Sequence, residues 1–425
     1  MGSVGSPAYA FRPPGSGAYP AVVELGGGAQ LDAFSRLRVA EPVELFSKAC
    51  EYDNQPLFYQ NVLTGGAGQA YSAATTSTTL TVAGGTDSAI RQSRWYVRYR
   101  PGKSQQIFVT GNFGGPQVNV VKRIGYFDDD TQPQSTGDGL FFEVDGSGIY
   151  AVLRSSTSGS SVDTRVAQAD WNLDKLDGTG PSGVTLDLTK EQVVVLDFGW
   201  LGSATIRWGF VVNCRVVLVH QVGPANTFTA PFVARPSLPI RWEIASSGGA
   251  GSMVATCSSV QSEGGFNTEG VQRAVSMGGT GKTTSATTLV PLLTIRLNAT
   301  YRRANFLPIT FSIITTGASA EPFEVLLLRD ATLTGATFAA GAASEAMEYD
   351  VAATAITATG QALDRQYGTS GGGPIKGGGA GGAVKTDVPF SSRYDGTRDT
   401  LTLAVRPLGT GATTFYGSLI WSEFY

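Results

Sequence analysis

The sequence predicts an all-β protein: two antiparallel β-sandwich domains of jelly-roll or lectin-like type, preceded by an extended N-terminal arm. Three observations carry this. The run Val184 to Val222 alternates Ile206, Trp208, Phe210 and Val212 with Thr205, Arg207, Gly209 and Asn213, the period of a strand with one buried face. From Glu44 to Phe266, strand signals recur every ~8–12 residues, the spacing of a sandwich or barrel. Charged residues make up only 15% of the 425-residue chain, and glycines number 55. That composition suits short strands, many turns and surfaces that touch other subunits, where Lys, Glu and Asp are depleted.

A chain of this length holds two or three domains. Residues 1–40 read as the arm and a docking element. Its first part is rich in Pro, Gly and Ser and cannot build a core. Its aromatics Tyr9, Phe11 and Tyr19 suit docking on a neighbour. Leu31 to Phe46 (LDAFSRLRVAEPVELF) adds Phe34, Arg36, Leu37 and Arg38 as a docking element or, more plainly, as packing at the domain entry. Residues 41–266 form the large sandwich. Val193 to Trp200 is almost continuously apolar, as for a strand covered on both faces. Asn213-Cys214 and Asp145-Gly146 mark hairpin turns. Residues 267–288 read as a linker, and 289–425 as the second sandwich. Its segment 368–382 (GTSGGGPIKGGGAGG from Gly368) reads as a loop too Gly-rich to pack.

The formal net charge of −3 leaves no electrostatic footprint for nucleic acid or a membrane surface. No apolar run approaches a membrane span, and the N-terminus lacks the pattern of a secretory signal. Cys50, Cys214 and Cys257 lie far apart, without CxxC or Cys/His spacing. They read as buried reduced thiols rather than as zinc ligands or disulfides.

Each candidate for chemistry has a competing structural reading. Gly278 to Thr284 (GGTGKTT) resembles a deviant phosphate-binding loop around Lys282. However, Ser276 and Met277 stand where Gly and Lys belong, and the residues after Thr284 read as loop and strand rather than helix. Asp170, Asn172, Asp174 and Asp177 suggest a calcium loop, but Lys175 and Pro181 break the EF-hand template, leaving a polar turn. Asp128-Asp129-Asp130 reads as a cation site or a solvated loop end. Glu143 and Asp145 share a strand face, as a glycosidase pair would, but no third element supplies the opposing carboxylate. His220 is the only histidine, so no histidine relay can be built. Trp200, Trp208 and Trp242 lie inside apolar strands and read as core; Trp171, in the polar stretch QADWNLD, is the residue expected to stack on a glycan. The expectation is therefore a non-enzyme with no cofactor.

The blocks LDAFSRLRVAEPVELF, RYRPGKSQ, RIGYFDDD, GLFFEVDGSGIYAVLRSSTSG, VDTRVAQADWNLDKLDGTGPSGVTLDLTK and TTFYGSLIWSEFY together resemble a family of virion structural proteins of tailed bacteriophages. The resemblance implies a particle component, and with it assembly in the bacterial host cytoplasm and other virion proteins as partners; the low charge, high Gly content and all-β design add the expectation of a homotrimer or other symmetric oligomer. It supplies no catalytic residues. The leading expectation is an exterior attachment protein of tail, baseplate or fibre. The alternatives are a capsid decoration protein and a lectin-like module for host surface glycan.

Overall fold

The computed structural model describes residues 30–129, 137–200, 204–223, 225–265, 270–285, 287–317, 321–341, 345–370, 378–384, 386 and 388–425. The arm residues Tyr9, Phe11 and Tyr19, and Asp130, lie outside them. Within this set the chain is all-β. The first unit holds β1 (Pro42–Ala49), β2 (Tyr59–Thr64), β3 (Gly68–Ser72), β4 (Ser77–Val82) and β5 (Ser88–Ser93). It continues with β6 (Gln105–Asn112), β7 (Val120–Phe127), β8 (Gly139–Asp145), β9 (Gly148–Ser155) and β10 (Val162–Ala167). β11 (Gln192–Phe198), β12 (Ile206–Val212), β13 (Arg215–Val222), β14 (Ile240–Ser246) and β15 (Gly251–Glu263) complete it. One sheet runs β13-β12-β11-β6-β15-β4-β3, with β1 also on β15. The facing sheet runs β10-β9-β8-β7-β14-β5-β2.

The predicted alternation explains the layering. Leu196, Phe198, Ile206, Trp208 and Phe210 point inward and meet Ile124, Tyr126, Phe142 and Trp242 of the facing sheet in one core. β11 is covered on both faces, as its apolar run predicts, and its outer cover is the element around Leu31–Arg38. There Asp197 takes ion pairs from Arg207 and from Arg38 (2.8 Å). At the β12–β13 hairpin both turn residues have positive φ, Asn213 at 49° and Cys214 at 61°, the backbone that keeps a two-residue turn in step with strand twist. This places Cys214 in solvent rather than in the core, and all three cysteines are free.

The second unit holds β16 (Val271–Ser276), β17 (Lys282–Thr284), β18 (Val290–Leu297), β19 (Asn305–Gly317), β20 (Pro322–Arg329), β21 (Thr332–Thr334) and β22 (Ala339–Ala340). β23 (Met347–Asp350), β24 (Ala355–Ala358), β25 (Gln361–Thr369), β26 (Gly378–Ala383), β27 (Thr400–Pro407) and β28 (Thr413–Phe424) complete this unit. Sheets β16-β28-β19-β26, with β17 on β28, and β22-β23-β18-β27-β20-β25 face each other. Leu293, Ile295, Phe311, Leu403, Phe415 and Trp421 fill the space between them.

Two expectations need correction here. Residues 267–288 are not a linker: β16 and β17 both pair with β28 and belong to the second sandwich. The described ends of the Gly-rich stretch do pack: Gly368 and Thr369 belong to β25, and β26 pairs with β19 over Gly378–Ala383, while residues 371–377 lie outside the described residues. A Cβ on Gly379 would sit 2.4 Å from the Ile313 carbonyl, and one on Gly381 2.8 Å from that of Phe311. Glycine is used there for close backbone approach, not for looseness.

The two units are joined by buried charge. Arg94, between β5 and β6, donates to Asp399 at 2.7 Å, and Arg329 donates to the other Asp399 oxygen at 2.6 Å. Asp399 is fully buried. Ser391 Oγ donates to the Arg94 carbonyl, Tyr394 N–H to Gln60 Oε1, and Asn305 Nδ2 to the Tyr96 carbonyl. Buried ions are retained only when paired and hydrogen-bonded, so this junction is part of the fold and not an incidental contact.

Candidate functional site at the junction of the two sandwiches

Most residues singled out from sequence serve the framework. Trp171 is 3% exposed, packs edge-on to Phe142 with centroids 5.6 Å apart, and donates its Nε1–H to the Val166 carbonyl. It leaves the 3-10 turn Gln168–Asp170 inward while its polar neighbours face out. The stacking role expected of it is therefore not available to its ring. Phe34, Arg36, Leu37 and Arg38 dock in cis. Asp32 takes both backbone N–H and guanidinium donors of Arg36, and Arg38 pairs with Asp197 and Glu263. Phe34 lies against Gly199, and Leu37 is half-exposed.

The Lys282 amine is held by the protein itself. Its Nζ donates to the Pro291 and Ala353 carbonyls at 2.6 and 2.7 Å, and burial lowers the pKa of its amine. We expect Lys282→Met to lower stability by about 1–3 kcal/mol, since two carbonyls lose their donor, with no change in ATP binding by equilibrium dialysis. An ATP affinity that disappears in the variant would contradict this assignment. Asp174 accepts Leu176 N–H and Ser182 N–H, and Asp177 accepts Thr179 N–H and Oγ–H. These carboxylates cap turns, and among the described residues no three His, Cys, Asp or Glu side chains converge as a metal site. His220 is 7% exposed beside Trp208, and burial lowers its pKa, so it is a neutral core residue.

The outer face of the seven-stranded sheet carries a chain of alternating charge. Asp129, Arg241, Glu243, Arg123, Glu143, Arg165 and Asp145 pair in that order across β14, β7, β8 and β10. Glu143 is held by Arg123 and Arg165 at 2.7 Å each, and Arg165 reaches Asp145 at 2.6 Å. Burial alone would raise the Glu243 pKa, but Arg241 and Arg123 outweigh it and hold its carboxyl below the ordinary range. Burial would likewise raise the Asp145 pKa, but the Ser147 N–H and Arg165 outweigh it; a general acid in glycoside hydrolysis needs the opposite environment, and the ion pairs of Glu143 and Asp145 clasp the strands.

Asp128 and Asp129 are not a solvated loop end: protein donors engage both carboxylates. Asp128 pairs with Arg303 of the second unit and accepts Asp138 N–H, while Asp129 pairs with Arg241 and accepts from Tyr394 Oη at 3.2 Å. Burial pushes the Asp128 carboxyl up to about 6, above the ~3.9 of an unfolded chain. The fold therefore disfavours its ionised form. Its contribution to stability is fullest below pH ~4 and falls as pH rises to ~6, by on the order of 2–3 kcal/mol. We expect Asp128→Asn to gain stability relative to the parent over that window, read from denaturant midpoints at both ends. An unchanged difference would refute the assignment.

A concave feature lies between the units. It is a cavity of ≈ 700 Å³ lined by Arg98, Arg235, Arg302, Arg303 and Arg393, with Tyr96, Tyr99, Trp200, Tyr301 and Tyr425, and, among the described residues, no Asp or Glu side chain. The segment Arg94–Pro101 alternates. Trp95, Val97 and Tyr99 enter the core, while Tyr96 and Arg98 turn to the second unit. From the other side, Asn298 Oδ1 accepts Thr300 and Tyr301 N–H. This cap starts the turn that presents Tyr301, Arg302 and Arg303. Trp200, expected in the core, is half-buried at the cavity, anchored by Nε1–H on the Val233 carbonyl and by its backbone N–H on Tyr99 Oη. Sequence reasoning missed this site. Its signal was the clustering of Arg and Tyr in RWYVRYR (from Arg94) and YRR (from Tyr301) within a chain poor in charge.

No protein-family model matches the chain, and no curated protein matches it. Solved structures that resemble it include a legume lectin-like domain from Entamoeba histolytica, at 10% identity and TM-score 0.30, covering 53% of this chain and 100% of that one. The potassium-bound Emp46p carbohydrate recognition domain aligns at 10% identity and TM-score 0.34, covering 52% and 98%. The binding domain of botulinum neurotoxin serotype D/C aligns at 8% identity and TM-score 0.29, covering 88% and 98%. At these values the likeness carries nothing about ligand, reaction or partner.

Proposed function

We propose that the chain is a structural component of a tailed-phage virion, on the exterior at the tail, baseplate or fibre, and that it works by binding rather than by catalysis. One observation supports this most: the groups that sequence singled out for chemistry are occupied by protein partners. Lys282, Asp174, Asp177, Glu143, Asp145 and Asp128 each hold a turn, a strand or the junction in place. The blocks that resemble virion proteins are framework too. LDAFSRLRV covers β11, the stretch from Asp170 to Gly183 pins its own turns, and TTFYGSLIWSEFY is the long strand β28.

The test is immunogold labelling of purified particles of the phage that encodes the chain. Gold on the tail, baseplate or fibre is the expected result, and gold spread over the head would favour the decoration alternative. A chain abundant in lysate but absent from purified particles would refute the proposal. Light scattering of the purified chain tests the homotrimer, with a monomer at micromolar concentration as the contrary result.

A further inference from the structure

We infer that copies of this chain meet through the outer face of the sheet β16-β28-β19-β26, which a second copy covers; this rests on the oligomeric state proposed for the chain and not on its place in a particle. Strand alternation decides what that face presents. One row across all four strands reads Ser276, Ser418, Ser312 and Gly381. Among the described residues, no side chain that the alternation sends outward from this sheet is charged. The other three outer sheet faces all carry ion pairs. Asp197 holds Arg207 on the first, Arg123 holds Glu143 on the second, and Glu324 holds Arg406 on the sheet opposite this one. Depletion of charge is what marks the centre of a protein interface.

The hydroxyls of this face bond to one another and to its own backbone. Ser312 Oγ meets Ser418 Oγ at 2.7 Å, Thr283 Oγ1 meets Thr414 Oγ1 at 2.7 Å, and Thr310 Oγ1 donates to the Gly382 carbonyl. Another layer can therefore cover them without stranding a polar group. Apolar surface stands among them: Ile314, 60% exposed, lies opposite Tyr416. The size also suits a stable contact. β28 runs for 12 residues, so at ~3.4 Å per residue and ~4.8 Å per strand the four-strand face spans about 40 by 20 Å. Allowing for its shorter edge strands, that is on the order of 700 Å², against ~800 Å² per partner in standard interfaces. Charge then favours a second copy over a different protein. A different partner is selected by complementary charge, which this face does not offer. A charged patch meeting its own kind sets like charges together, whereas this one meets no such repulsion. A net charge of −3 over the whole chain adds little to oppose association.

The experiment is sedimentation equilibrium of the full chain over the micromolar range, with circular dichroism to read folding. The parent is expected to associate. Ile314→Lys, which leaves the subunit's strand pairing intact but buries an unpaired charge in the contact, is expected to weaken association by about tenfold or more. Gln361→Lys, an exposed position on β25 of the opposite sheet, is expected to leave it unchanged. Ala274→Cys adds a thiol at an exposed position of β16. Its alkylation, read against the parent's own free cysteines, is expected to slow severalfold as concentration rises. If Ile314→Lys does not fold, Ala274→Cys decides. Association as strong in folded Ile314→Lys as in the parent overturns the inference, as does equal weakening by Gln361→Lys or a thiol that reacts at one rate at all concentrations. A monomeric parent overturns it together with the proposed oligomer; slow alkylation in such a monomer would assign the face to residues 1–29 of the same chain. The gold labelling reads the place in the particle separately.

Discussion

Asp399→Ala is expected to lower the unfolding free energy by about 3–5 kcal/mol, because removing one member of a buried ion cluster strands the others. Asp399 bridges Arg94 of one sandwich and Arg329 of the other, both at least nine-tenths buried, and also accepts Ser391 N–H. Arg329 in turn donates to the Val388 and Pro389 carbonyls and lies over the Phe390 ring. The substitution therefore loosens the whole segment that seats the second unit on the first. Burial alone would raise the Asp399 pKa, but Arg329, Arg94 and Arg393 together hold its carboxyl below the ordinary carboxylate range. A depressed carboxylate contributes stability above the unfolded value of ~3.9, lost as pH falls through the folded value. This is opposite in sign to Asp128. Denaturant midpoints of parent and variant at neutral pH read the main effect, and a shift under 1 kcal/mol would contradict it.

Trp171→Ala is the second large effect, at about 3–5 kcal/mol, the range for emptying a buried indole from a packed core. The loss includes the rings of Phe142 and Phe210 and the bond to the Val166 carbonyl. Denaturant midpoints of parent and variant read it, and a shift under about 1 kcal/mol would contradict it.

The architecture was legible because strand periodicity and turn chemistry are local. The alternation at Ile206–Val212 and the Asn213-Cys214 turn needed only neighbours along the chain. Trp171 misled because its polar neighbours report the turn they form, not the side chain that the turn sends inward. The Gly-rich stretch misled for a related reason: composition signals an absence of side-chain packing, whereas β26 is held by backbone pairing at close approach. The cavity was least legible. It joins Arg98 to Arg302 and Arg393, about half and about two-thirds of the chain away, and no local pattern encodes that meeting. Likewise, Arg94 and Asp399 form one ion pair across 305 residues.

The central claim is that buried charge at the junction makes the two sandwiches a single body, with the cavity as part of it. Differential scanning calorimetry of the full chain tests this directly. The account predicts one transition whose calorimetric and van't Hoff enthalpies agree, and its division into two in Asp399→Ala. Two separate transitions in the parent protein, unmoved by that substitution, would contradict it.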